Sequence, residues 1–313
     1  MTGNSRDARY TQGIAPYQRP VLIYNPAAGK LRRNPERTLQ RTIAALARAS
    51  LHPRLLPTRA PGDGTERARE AIAEGADLIL VLGGDGTINE VANGMICSHV
   101  PLAVLPGGTA NVLAMELGLG SNLERAAKRL AGCVEKRIAA GKLSQPDGEI
   151  RYFFMMGGVG LDATIVTAVN PGLKAKTGKL AYWVAGLLQF FRTVGQFGAT
   201  VNGEPGTYGF VLASRVRNYG GDLEIASGAS LSSNDFEVVL FRGTNPLRYA
   251  LYMATVGIRM VQKMPGVRTV RAREIEFTGD APIQLDGEYA GRTPARMEIA
   301  PDALTVLMPE AYR

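Results

Sequence analysis

Three short apolar segments, each followed by a turn containing glycine or proline and then by a helical pattern, constrain the fold of this chain most strongly. The segments are residues 21–24, 78–82 and 102–105. They lack the alternation of a half-exposed strand, so we expect them to be buried on both faces. Strand and helix patterns that alternate with short connections predict a parallel sheet wrapped by helices.

Helix signals follow these strands. Asn34, Pro35 and Glu36 form an N-cap, a first-turn proline and an acid suited to the helix dipole. The apolar residues that follow have helical spacing. A second short strand is expected at 55–56, and further helices at 66–74, 88–95, 110–117 and 122–130.

The pattern changes after about residue 138, where short strands follow one another. We expect strands at 152–156, 207–212, 237–241, 267–277 and 304–307, and helices at 178–193 and 246–263. Strands in succession favour a mainly antiparallel sheet. The predicted fold class is α/β: a doubly wound parallel-sheet nucleotide domain (19–138), to which the last C-terminal residues could add, and a β-rich domain (139–313), with the site in the cleft between them.

The turn 83–87, Gly-Gly-Asp-Gly-Thr, carries the sharpest chemical signal. Glycines at a strand-to-helix turn let backbone N–H groups approach a phosphate, and the helix N-terminus adds positive potential. The turns 25–30 and 106–111 lie at the ends of neighbouring strands, where ligands of parallel sheets bind. The first turn lacks the spacing of the common nucleoside-triphosphate loop.

Charge and composition narrow the class of protein. The net charge is +8, which favours acidic partners such as a phosphorylated substrate or an anionic membrane. The longest apolar run, 180–191, is shorter than the roughly 20 residues of a membrane span. Two cysteines, Cys97 and Cys133, and the lack of a secretion signal lead us to expect a cytoplasmic protein. The sequence carries no nucleic-acid recognition motif.

Five segments, in order, resemble motifs of the diacylglycerol kinase catalytic-domain family, especially the soluble bacterial lipid kinases related to diacylglycerol and sphingosine kinases. They are NPAAGK (25–30), GGDGTINEVANG (83–94), PGGTANVLA (106–114), GGVGLDA (157–163) and DGE (286–288). GGDGT alone is shared with NAD kinases and phosphofructokinases. Its combination with PGGTAN and a distant DGE is much more specific to lipid kinases.

The resemblance implies transfer of a phosphoryl group from ATP to a lipid hydroxyl, with Mg²⁺ as a cofactor. It implies that Asp85 supports the nucleotide and Mg²⁺, and that Glu288 accepts the proton, with Asp286 beside it. The nucleotide-binding residues that it implies are Asn25, Pro26, Ala27, Ala28, Gly29, Thr58, Gly83, Gly84, Asp85, Gly86, Thr87, Asn89, Glu90, Gly108, Thr109 and Asn111.

The residue types suit that chemistry, because phosphoryl transfer needs charge neutralisation and alignment. Asp286 and Glu288 are two residues apart, which on an extended strand puts both on one face, unless Gly287 bends the chain. The alternative is a hairpin turn with solvated acids. Sequence does not decide whether Glu288 or Asp85 is the working base.

Members of the family often bind a structural Mg²⁺ through an Asp-Gly pair in a second-domain loop. The matching loop here is 230–236, and Ser233 stands where that aspartate is expected. Since Mg²⁺ prefers carboxylate oxygen, we do not expect this structural site, unless Asp235 substitutes.

Other functions and partners stay open. An NAD kinase of soluble substrate and a lipid- or nucleotide-binding protein without turnover are the alternatives. Because a lipid substrate resides in a bilayer, we expect the protein to dock transiently to an anionic membrane surface, either through the basic residues of 259–273 or through 174–191. Exposed strand edges would allow a homodimer. The basic residues of the first candidate are Arg259, Lys263, Arg268, Arg271 and Arg273.

Overall fold

The computed structural model describes residues 17–32, 34–161, 163, 195–220, 223–257 and 259–312. The helices are α1 (Pro35–Ala47), α2 (Asp63–Ala73), α3 (Asp85–Gly94), α4 (Val112–Glu116), α5 (Leu123–Leu130) and α6 (Pro246–Gly257). The strands are β1 (Pro20–Tyr24), β2 (Arg54–Pro57), β3 (Leu78–Gly83), β4 (Leu102–Pro106), β5 (Cys133–Ser144), β6 (Ile150–Phe153), β7 (Met156–Gly160), β8 (Phe197–Val201), β9 (Glu204–Tyr208), β10 (Phe210–Ser214), β11 (Asn218–Gly220), β12 (Leu223–Glu224), β13 (Phe236–Phe241), β14 (Val267–Ala272), β15 (Glu274–Thr278), β16 (Pro282–Leu285), β17 (Glu288–Arg292) and β18 (Ala295–Pro309).

The first half of the chain forms the expected parallel sheet. Its strands lie in the order β2-β1-β3-β4, and every neighbouring pair is parallel. Both β3 and β4 are buried along their whole length, as their apolar sequences predict. Asn34 caps α1 by accepting a hydrogen bond from the backbone N–H of Arg37 at 3.2 Å. The carboxyl ends of these strands therefore share one edge, next to the start of α3.

The last strand of the chain, β18, extends this sheet. It pairs in parallel with β4 at Val306 and Leu102, and antiparallel with β5 along most of its length. The sheet then continues through β15, β8 and β9. One sheet thus draws strands from both halves of the chain, and the predicted boundary at residue 138 lies within β5.

A second, antiparallel sheet has the order β14-β13-β10-β7-β16-β17. Phe153 and Phe236 stack between the sheets at 5.5 Å in a core of buried aliphatic side chains. The prediction of an α/β fold with a parallel-sheet domain and an antiparallel β-rich domain is confirmed. The helix expected at 178–193, and the membrane contact suggested for 174–191, lie outside the described residues. The homodimer stays a prediction.

Candidate active site

The second and third glycine turns pack backbone against backbone. The N–H of Gly107 donates to the carbonyl of Gly83 at 2.8 Å. A Cβ on Gly108 would lie 2.5 Å from the Cα of Gly84, which no side chain could tolerate without a shift of the backbone. The glycines at these positions therefore bring the ends of β3 and β4 into direct contact and leave a surface of backbone groups.

Lys30 attaches the first turn to the third. Its N–H donates to the carbonyl of Gly107 at 3.1 Å, and its ammonium donates to the carbonyls of Pro106, at 2.7 Å, and Ser121. Burial lowers the pKa of Lys30. Sequence reasoning included Lys30 in a motif but assigned it no role, since a lysine after a glycine turn gives no sign that it binds carbonyls.

The remaining polar groups of the first turn lie at the same edge. The side-chain oxygen of Asn25 accepts from the N–H of Ala27 at 2.8 Å, and its amide donates to Thr87 Oγ1 at 3.2 Å. Thr58 continues the pairing of β2 with β1 through a hydrogen bond to the carbonyl of Tyr24. Thr109 Oγ1 lies 3.8 Å from the position of a Cβ on Gly29. The structure thus brings together the turns 25–29, 83–87 and 106–111.

Asp85, the first residue of α3, presents an unusual carboxylate. Burial and the nearby charge of Asp286 raise its pKa, hydrogen bonds from backbone N–H groups at 111–113 oppose the rise, and the net pKa is about 6. Its Oδ1 is buried and has no hydrogen-bond partner among the described residues. A buried carboxylate oxygen without a donor is costly unless a cation or proton meets it, so Asp85 fits a divalent metal and the adjoining glycine backbone fits phosphate.

Asp286 holds the two domains together. Its Oδ1 accepts from the N–H groups of Met155 and Met156 at 2.9 and 2.8 Å, and its Oδ2 from the N–H of Phe154 at 2.9 Å and from Asn89 Nδ2 at 2.7 Å. Burial raises the pKa of Asp286, and these four donated bonds limit the rise. Its lone pairs are therefore committed to the backbone after β6 and to α3.

Glu288 lies on the other side of a two-residue turn. Leu285 pairs with Glu288, and Asp286 and Gly287 between them have φ values of +50° and +85°, as in a type I′ hairpin. The expectation that both acids share one face of a strand is wrong, because this turn directs Asp286 inward. Glu288 is exposed, and its Oε1 lies so near Gly86 that a Cβ there would collide with it. The structure therefore brings Glu288 beside the turn that carries Asp85.

Three residues implied to bind nucleotide have structural partners. Asn89 donates to Asp286 and to the carbonyl of Tyr152. Glu90 accepts from the N–H groups of Gly62 and Gly64 at 2.8 and 3.1 Å, and so stabilises the start of α2. Asn111 makes two hydrogen bonds to the backbone of Gly108. These contacts hold the turns in place, and a role in nucleotide binding stays a prediction.

A buried network near the site was missed by sequence reasoning. Glu116, at the end of α4, accepts from the N–H and Nε of Arg217 and from the hydroxyl of Tyr312. Tyr312 in turn accepts from the N–H of Leu231 at 3.1 Å. Burial raises the pKa of Tyr312 to about 12. These residues join α4 to the second domain and the C-terminus, yet they lie far apart in sequence and in no motif.

Two family models match the chain. The model of the diacylglycerol kinase catalytic domain matches residues 19–143. The model described as the YegS C-terminal NAD kinase beta sandwich-like domain matches residues 157–308. Together the two regions include most of the chain, and their order is that of the two halves described above.

Full-length relatives are similar along nearly the whole chain. The diacylglycerol kinase of Bacillus subtilis (strain 168) is 28% identical over 307 residues, which cover 94% of this chain and 97% of the relative. That of Staphylococcus carnosus (strain TM300) is 25% identical over 291 residues, covering 89% and 91%. A crystal structure of a diacylglycerol kinase from Bacillus anthracis str. Sterne, 24% identical, aligns with a TM-score of 0.73 over 96% of this chain and 100% of that one. This last likeness concerns the fold.

Proposed function

Because the chain belongs to the diacylglycerol kinase catalytic-domain family, and is thus a lipid kinase, we propose that it transfers the γ-phosphoryl group of ATP to a hydroxyl of a diacylglycerol-like or sphingoid membrane lipid, with Glu288 accepting the proton. The observation that carries the proposal is the placement of Glu288, from the second domain, against Gly86 in the glycine turn of the first. An acid from one domain then lies against the glycine turn of the other.

Different residues of the chain would bind phosphate, bind the metal ion and accept the proton. The backbone groups of 25–29, 84–87 and 108–109 would bind phosphate oxygens, and Asp85 Oδ1 would bind a magnesium ion. ATP supplies the phosphoryl group, and Mg²⁺ supplies the positive charge that offsets its charge in transfer. Glu288 would orient the lipid hydroxyl and take its proton as the oxygen–phosphorus bond forms.

Glu288 is a better candidate for the base than Asp85. A base must come within hydrogen-bond reach of the lipid hydroxyl, and Glu288 is exposed next to Gly86 of the glycine turn. The Asp85 carboxylate instead lies beneath the turns, with Oδ1 buried and the backbone of 111–113 facing it. Its position suits a cation bound to phosphate rather than an alkyl alcohol.

Labelled ATP, Mg²⁺ and a panel of lipids provide the test, with identification of the phosphorylated product. The wild-type chain should phosphorylate a lipid and leave NAD unchanged, and Asp85→Asn and Glu288→Gln should each lower the rate by at least 100-fold, the lower end of the ~10² to 10⁴ range of a general base. Phosphorylation of NAD alone would favour the NAD-kinase alternative. Tight ATP binding without any lipid product would favour a binding protein.

We also propose that the lipid is reached at an anionic membrane surface, and that the outer face of α6 makes the contact. Leu247 is 79% exposed and Leu251, one turn later, 52% exposed, while Tyr249, Tyr252 and Val256 on the opposite face are buried. Among the described helices, none is long and apolar enough to cross a bilayer. An exposed apolar stripe on a helix is typical of binding in the interface plane.

The charge around α6 favours an anionic surface. Segment 238–273 contains no acidic residue, and exposed Arg248 and Lys263 flank the apolar stripe. Part of the basic cluster predicted from sequence is already neutralised: Arg268 pairs with Glu204 at 2.9 Å, and Arg271 pairs with Asp235. The positive charge that is not neutralised by ion pairs therefore lies nearer to α6. Each basic side chain close to an anionic membrane contributes about 1 kcal/mol to the free energy of binding.

Co-sedimentation with vesicles tests the docking face separately from catalysis. The full chain should bind phosphatidylcholine vesicles that contain phosphatidylglycerol, and Leu247→Ser/Leu251→Ser should bind at least 5-fold less. The matched control is Ile150→Ser, an exposed apolar residue on β6. Activity on detergent-dispersed lipid should survive in both variants. Equal vesicle binding by the α6 variant and wild type would refute the docking face and leave the kinase proposal standing.

A further inference from the structure

A buried arginine organises the second-domain loop between β12 and β13. Arg215, just after β10, is completely buried. Its Nη1 donates to the carbonyls of Ser233 and Asp235 at 3.0 and 3.3 Å, and its Nη2 to the carbonyl of Leu231 at 2.8 Å. Three carbonyls at alternate positions of one loop therefore converge on a single cation.

A buried charge of this kind is costly unless the surrounding groups compensate for it. Burial lowers the pKa of Arg215 to about 10, which still leaves the guanidinium charged at neutral pH. The carbonyl dipoles of the loop compensate for it together with the charge of the nearby Asp235, whereas Nε has no hydrogen-bond partner among the described residues. The planar fork of the guanidinium lets its two Nη groups reach several acceptors at once. A loop of carbonyls around an enclosed positive charge is also the arrangement by which proteins hold a hard metal ion.

The loop's carboxylate is engaged elsewhere. Asp235 accepts from Arg271 Nε at 3.1 Å, in a two-pronged ion pair, so both of its carboxylate oxygens already have a partner outside the group of convergent carbonyls. Ser233 contributes only its backbone to the Arg215 contact. The donor set that the family resemblance implies for a structural Mg²⁺ is thus replaced, and the residues of this loop do not fit that ion.

We propose that Arg215 is the built-in cation of loop 230–235, and that its guanidinium holds the carbonyls of Leu231, Ser233 and Asp235 where the family resemblance implies a structural metal ion. The loop then keeps its shape in the absence of Mg²⁺. Because the N–H of Leu231 donates to Tyr312, which donates to Glu116, Arg215 also supports the contact between this loop and α4.

Thermal unfolding of the full chain without nucleotide tests the proposal. Replacing NaCl by MgCl₂ at constant ionic strength should change the Tm of Asp85→Asn, which lacks the magnesium site proposed beside the glycine turns, by less than 1 °C. Arg215→Met should lower Tm by at least 5 °C, because one buried and two half-buried hydrogen bonds to loop carbonyls are lost. Arg268→Met, which removes an exposed arginine with one ion pair, is the matched control and should stay within 2 °C.

A second comparison keeps the test decisive if Arg215→Met does not fold. Arg215→Met/Ser233→Asp restores a carboxylate at the position expected of a metal ligand, and its Tm or its yield of folded protein should rise with Mg²⁺ and not with Na⁺. If that rise is absent, the proposal that the Arg215 guanidinium takes the place of a metal ion in this loop is wrong. A wild-type Mg²⁺ effect that persists in Asp85→Asn and is lost in Ser233→Ala would overturn the proposal as a whole.

Discussion

Replacing Asp286 by asparagine exchanges one carboxylate oxygen for an amide group at the centre of the domain contact. The amide oxygen can still accept from one of the two donor pairs, but the NH₂ group must then face the other pair. Two hydrogen bonds to a charged group are lost, at roughly 1.5 to 3 kcal/mol each. Removal of a buried charge recovers part of this loss. We expect a net destabilisation of about 2 to 4 kcal/mol.

That free energy corresponds to a fall in Tm of about 4 to 16 °C, at ~2 to 4 °C for each kcal/mol. Circular dichroism at increasing temperature measures it. Transfer of labelled phosphate to lipid, assayed well below the Tm of both proteins, measures what activity remains. Since Asp286 makes no contact that requires substrate, we expect Asp286→Asn to keep a measurable rate.

Glu288→Gln should show the opposite pattern. Glu288 is exposed, so its Tm should change by less than 2 °C, while the transfer rate falls at least 100-fold. The reasoning is refuted if Glu288→Gln unfolds early, or if Asp286→Asn keeps the wild-type Tm and loses all activity. Either result would contradict the structural role given to Asp286 and the catalytic role given to Glu288.

Further predictions concern the surroundings of the two acids. Gly86→Ala places a Cβ against Glu288 Oε1, so the rate of phosphoryl transfer should fall at least 10-fold. The control is Gly132→Ala, whose Cβ would make no close contact and which should match the wild-type rate in the same assay. Glu90→Ala removes the hydrogen-bond acceptor at the start of α2, so the free energy of unfolding measured in urea should fall by about 1 to 2 kcal/mol while the KM for ATP stays unchanged. A large rise in the KM for ATP would instead indicate that Glu90 contacts the nucleotide. Tyr312→Phe breaks the link between α4 and the second domain and should lower Tm by about 2 to 6 °C in a thermal scan, and an unchanged Tm would contradict the structural role given to this link.

The parallel half of the fold was predictable because its signals are local. Residues 78–82 and 102–105 are apolar without alternation, and Asn34 and Pro35 mark the start of a helix, so periodicity and capping locate β3, β4 and α1. The long strand β5 was missed. Its sequence mixes charged, small and apolar residues, and its stability comes from pairing with β18, more than 150 residues away, which no local pattern reports.

The site was predictable in its parts and not in its geometry. Glycine turns at the ends of neighbouring parallel strands must meet, and they do. The direction of the Asp286 side chain was not predictable, because it depends on two positive φ values and on the break between β6 and β7 that supplies three N–H donors. Arg215 was overlooked for the same reason, since its partners are backbone carbonyls.

Hydrogen bonding and solvent exposure together separate the acids that stabilise this site from those that can take part in its chemistry. Asp286, Glu90 and Glu116 each accept bonds from backbone N–H groups, and could take up a proton or a metal ion only by releasing them. Asp85 also accepts from backbone N–H groups at 111–113, but its Oδ1 is buried without a partner among the described residues, and Glu288 is exposed next to Gly86 of the same turn. Each domain thus contributes acids of both kinds. The distance between Asp85 and Glu288 depends on the four hydrogen bonds by which Asp286 joins the two domains. Loss of these bonds should misalign the domains, and should therefore lower kcat before it affects the binding of either substrate.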